Sequence, residues 1–317
     1  MIYSQRTETG GQGQRRLIRL LVVGLGLIGV VGGVVVALYA IDAVPFGIRR
    51  RDTELVTLWN ESQYDEVENR ASAILSDRPL DGEALTFSGF ANFYLGIELV
   101  DRSLQRERLD RCIQLLRKAL HVPRAPLAVQ RDYVLAKAYY HKGEEYLDLS
   151  ARYMERAITG GLEAPDSRTY LGMAYARLEN FESSIRWFEE AIAYSEPDEI
   201  NTVRIKAAES YVELERYETA RRLLEEAIAD LEDDFLALMA RNQLASVLLL
   251  DGRLDEAESL LEETIETYPQ SADAYYYLGV VYDRTDRSVQ ARALWRTARE
   301  IDPSHTQSLQ RLANGGG

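Results

Sequence analysis

The sequence predicts an all-α protein, an α-solenoid of helix-turn-helix units preceded by a single transmembrane helix. Three observations carry that expectation. Residues 20–41 contain no charged side chain, and about 20 apolar residues are enough for a helix to cross the hydrocarbon core. Beyond them, apolar residues recur at helical spacing and no stretch shows strand alternation. Past residue 50, proline falls only at Pro79, Pro123, Pro126, Pro165, Pro197, Pro269 and Pro303, the places where short helices would have to end or begin.

The N-terminal segment comes first. Residues 1–19 read as a cytoplasmic disordered tail, rich in Gly, Gln, Ser and Thr over its first 14 positions. Residues 20–41 read as the transmembrane helix, with Arg15, Arg16 and Arg19 at its near end. A cleaved signal peptide is the competing reading. Such peptides have a shorter apolar run and a small-x-small cleavage site, and no Ala-x-Ala follows here. The Arg15-Arg16 pair loosely resembles a twin-arginine export signal, although such signals serve proteins folded around cofactors. Arg6, Arg15, Arg16 and Arg19 on one side stand against Arg49, Arg50 and Arg51 on the other. The positive-inside rule, with the free amino group on the same side, then favours a single-pass inner-membrane protein with a cytoplasmic N-terminus and an extracytoplasmic domain.

Two glycine patterns lie inside this span. Gly24-Leu25-Gly26-Leu27-Ile28-Gly29, with Asp42 further on, matches a dinucleotide-binding fingerprint. That motif needs a parallel sheet around it, and nothing downstream supplies one. Gly29 and Gly33 have the spacing that lets two membrane helices approach closely, so self-association through the membrane helix is a partner expectation.

After the span, residues 42–128 read as divergent helical hairpins, 129–305 as a regular array, and 306–317 as a capping helix and tail. The regularity is clearest at the C-terminal end. Tyr275, Leu278-Gly279, Tyr282, Ala291, Trp295, Ala298 and Pro303 repeat the offsets of Leu244-Ala245, Leu248, Ala257, Leu261 and Pro269. Leu171-Gly172, Tyr175, Phe181 and Phe188 form an earlier copy with Ser184 in a slot otherwise held by Ala, and Ala207-Ala208, Tyr211, Tyr217, Ala220 and Leu224 form another. Leu135-Ala136, Tyr139, Met154 and Ala157 fit if the turn between their helices is about two residues longer than in the other copies. Residues 81–123 fit only with about ten extra residues around Leu99–Glu107, and residues 48–80 keep mainly Trp59, Tyr64 and Pro79. This pattern resembles the tetratricopeptide repeat, whose unit is 34 residues. The small residues sit where the two helices of a hairpin cross, and the large ones fill the space between hairpins. One hairpin cannot bury its own apolar face, so neighbours stack.

Charge and chemistry narrow the function. The formal net charge is −14; residues 1–41 carry +3, leaving −17 on the remainder. So acidic a domain repels phosphate backbones, and nucleic acid is not an expected partner. Cys112 is the only cysteine, which excludes an intramolecular disulfide and a cysteine zinc site; its helical apolar neighbours mark it as a buried hydrophobe. His121, His141 and His305 lie far apart in sequence, and no nucleophile elbow, phosphate loop or kinase signature follows the span. No catalytic residue, metal or cofactor is expected, and the chain reads as a non-enzyme.

The resemblance implies a concave groove lined by the first helix of each hairpin, which takes an extended peptide or a helix of a partner protein. On that reading the groove residues are Tyr133, Lys137, Tyr140, Thr169, Tyr170, Met173, Arg177, Glu209, Asn242, Ser246, Tyr276 and Val280. The expected function is a membrane-anchored scaffold or adaptor. The alternative is a chaperone-like accessory to protein export or envelope assembly.

Overall fold

A computed structural model describes residues 54–195 and 197–314. The tail 1–19, the predicted transmembrane helix 20–41, both glycine patterns within it and the final glycines lie outside those residues. Among the described residues there are fifteen α-helices, one short 3-10 turn and no strand. None of these helices is long and apolar enough to cross a membrane.

The helices pair as antiparallel hairpins: α1 (Glu54–Asn60) with α2 (Tyr64–Asp77), α3 (Gly82–Ile97) with α4 (Arg102–Leu120), and α5 (Ala128–Lys142) with α6 (Leu147–Thr159). Then follow α7 (Ser167–Arg177) with α8 (Phe181–Tyr194), α9 (Pro197–Glu213) with α10 (Tyr217–Asp230), α11 (Asp234–Leu250) with α12 (Leu254–Thr267), and α13 (Ala272–Arg284) with α14 (Ser288–Ile301). A single helix, α15 (Thr306–Asn314), closes the stack. Each hairpin packs on the next in chain order.

Small residues set the crossing within a hairpin. A Cβ placed on Gly172 would lie 2.7 Å from the Phe188 ring, and one on Gly279 would lie 2.6 Å from Cδ1 of Trp295. The bare backbone of the first helix therefore rests on the large side chain of the second. Trp295 donates its indole N–H to the Tyr276 carbonyl at 3.1 Å, which fixes the ring there. Ser184, in the slot held elsewhere by Ala, is fully buried and satisfied: its hydroxyl donates to the Gly172 carbonyl at 2.9 Å and contacts Ser210 Oγ at 2.8 Å.

Five hairpins turn in the same way. Ser62, Glu179, Glu215, Gly252 and Asp286 follow their first helices with φ between 56° and 76°. The backbone bonds Asn180 N–H to Tyr175 O and Glu179 N–H to Ala176 O repeat as Arg216 to Tyr211 and Glu215 to Val212, and as Arg287 to Tyr282 and Asp286 to Asp283. This is a Schellman closure, which uses one left-handed residue to satisfy the last carbonyls of the helix. The α5–α6 turn departs from it through a 3-10 segment, Glu144–Tyr146, which supplies the longer turn expected there. The α3–α4 hairpin departs by lengthening its helices. Gly89 faces Leu116 across it, a wider spacing in sequence than Gly172–Phe188 or Gly279–Trp295.

Neighbouring hairpins are tied by a repeated hydroxyl. Tyr175 and Tyr211 donate to Glu155 and Glu189 of the preceding second helix, each at 2.6 Å, and Tyr282 faces Glu262 at 3.5 Å. The buried apolar residues form two main clusters, one from Leu55 to Ala174 and one from Ile185 to Trp295.

Candidate functional site: the concave groove

The first helices of the hairpins line one side of the stack, but that side is not open along its whole length. In α3 every residue from Ala84 to Tyr94 is buried, and in α5 every residue from Arg131 to Tyr139. A helix apolar all round belongs inside, and ALTFSGFANFY of α3 is such a helix. The surface opens at the last turn of α5 and continues over α7, α9, α11 and α13.

Two residues expected on the open groove are therefore placed elsewhere. Tyr133 is 1% exposed and Lys137 0%. The Lys137 ammonium lies 2.9 Å from Asp166 Oδ2, and the Tyr133 hydroxyl donates to Asp166 Oδ1 at 2.6 Å. The Lys137 charge also lies 4.7, 5.2 and 5.6 Å from the ring centres of Tyr170, Tyr133 and Phe93, within the reach of cation–π attraction. Burial, followed by the adjacent Asp166 carboxylate, pushes the Tyr133 hydroxyl well above its ordinary range. This cluster spans α3, α5 and the residue before α7, so it holds hairpins together instead of meeting a partner. Val280 is a third correction: at 6% exposure it belongs to the core, because α13 packs its later turns on α14.

The remaining groove residues stay near the surface. Tyr140 is half-buried and meets Tyr170 edge to face at 5.3 Å, with the Arg177 guanidinium 5.1 Å from its ring centre. Arg177 also approaches Glu144 at 3.9 Å. His141, exposed at the end of α5, contacts the Tyr170 hydroxyl at 3.0 Å. Thr169 and Met173 are half-buried, and Met173 packs on the second core. Glu209 is exposed and accepts from Gln243 Nε2 at 2.8 Å. Asn242 donates to Ser271 Oγ at 3.3 Å. Ser246 engages the Tyr277 hydroxyl, whose proton affinity is raised chiefly by burial. Tyr276 is half-buried between Tyr277 and His305.

Residues that the sequence reading passed over also belong here. Val212, Glu213, Gln243 and Tyr277 join Glu209 and Ser246 around a cleft of about 180 Å³ between α9, α11 and α13. Glu209 and Glu213 stand one helical turn apart on the same face, a spacing legible in sequence. Tyr277 was hidden because its neighbour Tyr276 occupies the position the repeat marks.

Among the described residues no group of three or more His, Cys, Asp or Glu could hold a metal ion. Cys112 is buried, and burial alone raises its thiol well above the ordinary range, which keeps it a thiol.

A linear stack of paired helices whose first helices present polar and aromatic residues is the architecture of the protein-interaction solenoids. Comparison with known families gives the particular kind. Tetratricopeptide repeat profiles match residues 147–198, 199–270 and 248–313, together more than half of the chain, and residues 147–313 are tetratricopeptide repeats. Proteins of this type are in general non-enzymatic scaffolds. Among solved structures, the C-terminal part of a TPR repeat-containing protein from Cytophaga hutchinsonii aligns with a TM-score of 0.61 at 15% identity, over 81% of this chain and 98% of that one. YrrB, described as a TPR protein with an unusual peptide-binding site, aligns at 0.46 and 24% identity, over 58% of this chain and 89% of its own. A curated relative, the probable biofilm formation methyltransferase WspC of Pseudomonas putida, is 34% identical over 62 residues. That match takes in 20% of this chain and only 15% of the relative.

Proposed function

We propose that the chain is a scaffold or adaptor that holds a partner protein, as an extended peptide or a helix, in the part of the concave groove that begins at Tyr140 and runs over α7, α9, α11 and α13. The observation that carries this reading is the contrast along the first helices. In α3 and α5 the inward side is buried, whereas from Tyr170 onward Arg177, Glu209, Asn242 and Ser246 face outward or stand half-exposed. Tyr and Arg, the residue types that dominate binding hot spots, stand together at Tyr140, Tyr170 and Arg177. The uncharged run 20–41 supports anchoring of this scaffold in the inner membrane, with the N-terminus cytoplasmic and the repeats outside the cytoplasm; membrane contact would then bring the captured partner to the bilayer.

A photo-cross-linking residue placed at Thr169, Arg177 or Glu209 in intact cells tests the groove. One or two defined protein adducts are expected from these positions and none from Ala229 on the outer helix α10. Adducts arising only at Ala229 would move the partner to the convex side and end this proposal. A phosphatase fusion at the C-terminus tests the topology: enzymatic activity is expected, and an inactive but expressed fusion would reverse the orientation.

A further inference from the structure

The cleft between α9, α11 and α13 has a chemistry distinct from the aromatic end of the groove. Its about 180 Å³ is smaller than the roughly 300–1,000 Å³ of small-molecule sites, and suits a single side chain. Two carboxylates, Glu209 and Glu213, stand at its wall, and no cationic side chain lines it. Lys206, one turn before Glu209 on α9, lies outside the lining.

Its polar atoms are unevenly matched. Gln243 spends its amide N–H on Glu209 Oε1 at 2.8 Å. The opposite amide orientation would set an oxygen against a carboxylate, so this one is fixed. The Gln243 carbonyl oxygen is left buried with no protein hydrogen-bond partner. Leaving a buried acceptor unmatched is costly, and an N–H from a bound segment would match it. The cleft's charged groups are thus all acceptors, its only donors besides the Gln243 amide being the paired Ser246 and Tyr277 hydroxyls, while Val212 and the Tyr277 ring supply apolar wall.

We infer that this cleft is a subsite for a basic side chain of the bound partner segment, an arginine in preference to a lysine. The methylene stem lies along Val212 and Tyr277, as long cationic side chains do on apolar surface. The guanidinium meets Glu209 and Glu213 and presents a further N–H to the Gln243 carbonyl. Arginine has five donors in a planar fork, which suits two carboxylates and an amide oxygen better than a compact ammonium. The negative charge of the chain, −14 overall, draws such a segment in. This deepens the proposed function and rests on it, since it names what the groove selects in its C-terminal half.

The test uses the full chain and a phage-displayed library of random twelve-residue peptides. Selection on the native chain should enrich sequences with one recurrent Arg position. Synthetic copies of the enriched peptides should lose at least ten-fold in affinity on Glu209→Gln/Glu213→Gln, which keeps shape while removing both charges, and several-fold when their Arg becomes Lys. Circular dichroism and melting of that variant should match the native chain. Peptides that lose binding on Tyr170→Ala/Arg177→Ala, yet carry no basic consensus and bind Glu209→Gln/Glu213→Gln undiminished, overturn the subsite and leave the groove standing. Failure to enrich any sequence, or enrichment of peptides indifferent to both variants, overturns the subsite and the groove together.

Discussion

Removing one partner of the Lys137–Asp166 pair gives the sharpest test of how the N-terminal hairpins hold together. The Lys137 side chain is 0% and the Asp166 side chain 8% exposed. Lys137→Met deletes the cation while nearly preserving volume. Asp166 then keeps its 2.6 Å bond from Tyr133 but loses the charge beside it. Breaking a buried pair from one side costs about 3–5 kcal/mol, because the surviving charge is left uncompensated. Replacing both partners with apolar residues is often neutral, since neither charge then has to be dehydrated. Lys137→Met and Asp166→Leu should therefore each destabilise strongly, and the double variant should recover most of the loss. The coupling in this cycle should therefore be about 5 kcal/mol or more, beyond the usual range for residues in contact, because both single losses are cancelled together. Urea titration followed by circular dichroism measures it, read from midpoints at unchanged slope. If either single variant costs under about 1 kcal/mol, the pair is solvated, and the closed N-terminal groove described above is wrong.

Four further perturbations follow from the repeat geometry. Gly279→Ala, whose new carbon would meet the hydrogen-bonded Trp295 ring at 2.6 Å, should lower stability by about 1–3 kcal/mol through overpacking; a neutral melting curve would mean that the hairpin crossing is loose. Glu215→Gly should raise stability by about 0.5–1 kcal/mol, because Glu215 is held at φ 56° where an L-residue pays about 1–2 kcal/mol and glycine only its extra chain entropy; a lower urea midpoint would argue against the strained turn. Tyr211→Phe should cost about 1 kcal/mol, reduced from the charged-acceptor range because Glu189 is exposed. The Tyr175 and Tyr211 hydroxyls are pushed up to about 12, by burial first and then by their bonds to Glu155 and Glu189. The folded state thus holds these protons more tightly than the unfolded chain, which releases them near pH 10. Their contribution is complete below pH 10 and is lost as pH rises through 12, so alkaline melting should flatten in Tyr175→Phe/Tyr211→Phe, and an unchanged alkaline limb would deny the two bonds.

Much of the repeat was legible because its cause is local. A small residue and a large one at fixed separation, as in Gly172 with Phe188, must pack wherever two helices cross, and the spacing is visible without coordinates. The longer α5–α6 turn was legible for the same reason, since Ala136 and Ala157 could be aligned only by lengthening it. What stayed hidden depends on neighbours. Tyr133 and Lys137 occupy repeat positions that normally face the groove, and nothing in their own helix announces that Phe93, Asp166 and Tyr170 will enclose them. The turns were hidden in another way. Propensity assigns left-handed positions to glycine, yet among the five matching turns Gly252 alone obeys, while Ser62, Glu179, Glu215 and Asp286 are carried there by the packing of the helices they join. The acceptor-rich cleft needed three separate hairpins brought side by side, so Gln243 and Tyr277 bore no mark in sequence.

The division of the core deserves its consequence in mechanical terms. Buried side chains gather into one body ending at Ala174 and another starting at Ile185, and near their junction two serine hydroxyls, Ser184 and Ser210, touch where other hairpins place carbon against carbon. In a linear stack each layer is held only by its immediate neighbours, and at this junction Met173 and Trp187 each reach across to the other cluster, so the two bodies are joined by interleaved side chains and by the Ser184–Ser210 contact. Glu209, Gln243 and Tyr277 all belong to the second body or lie against it. A change at either body is therefore passed to the other through side chains that belong to both, Lys137 and its neighbours lying in the first and the acceptor-rich cleft in the second.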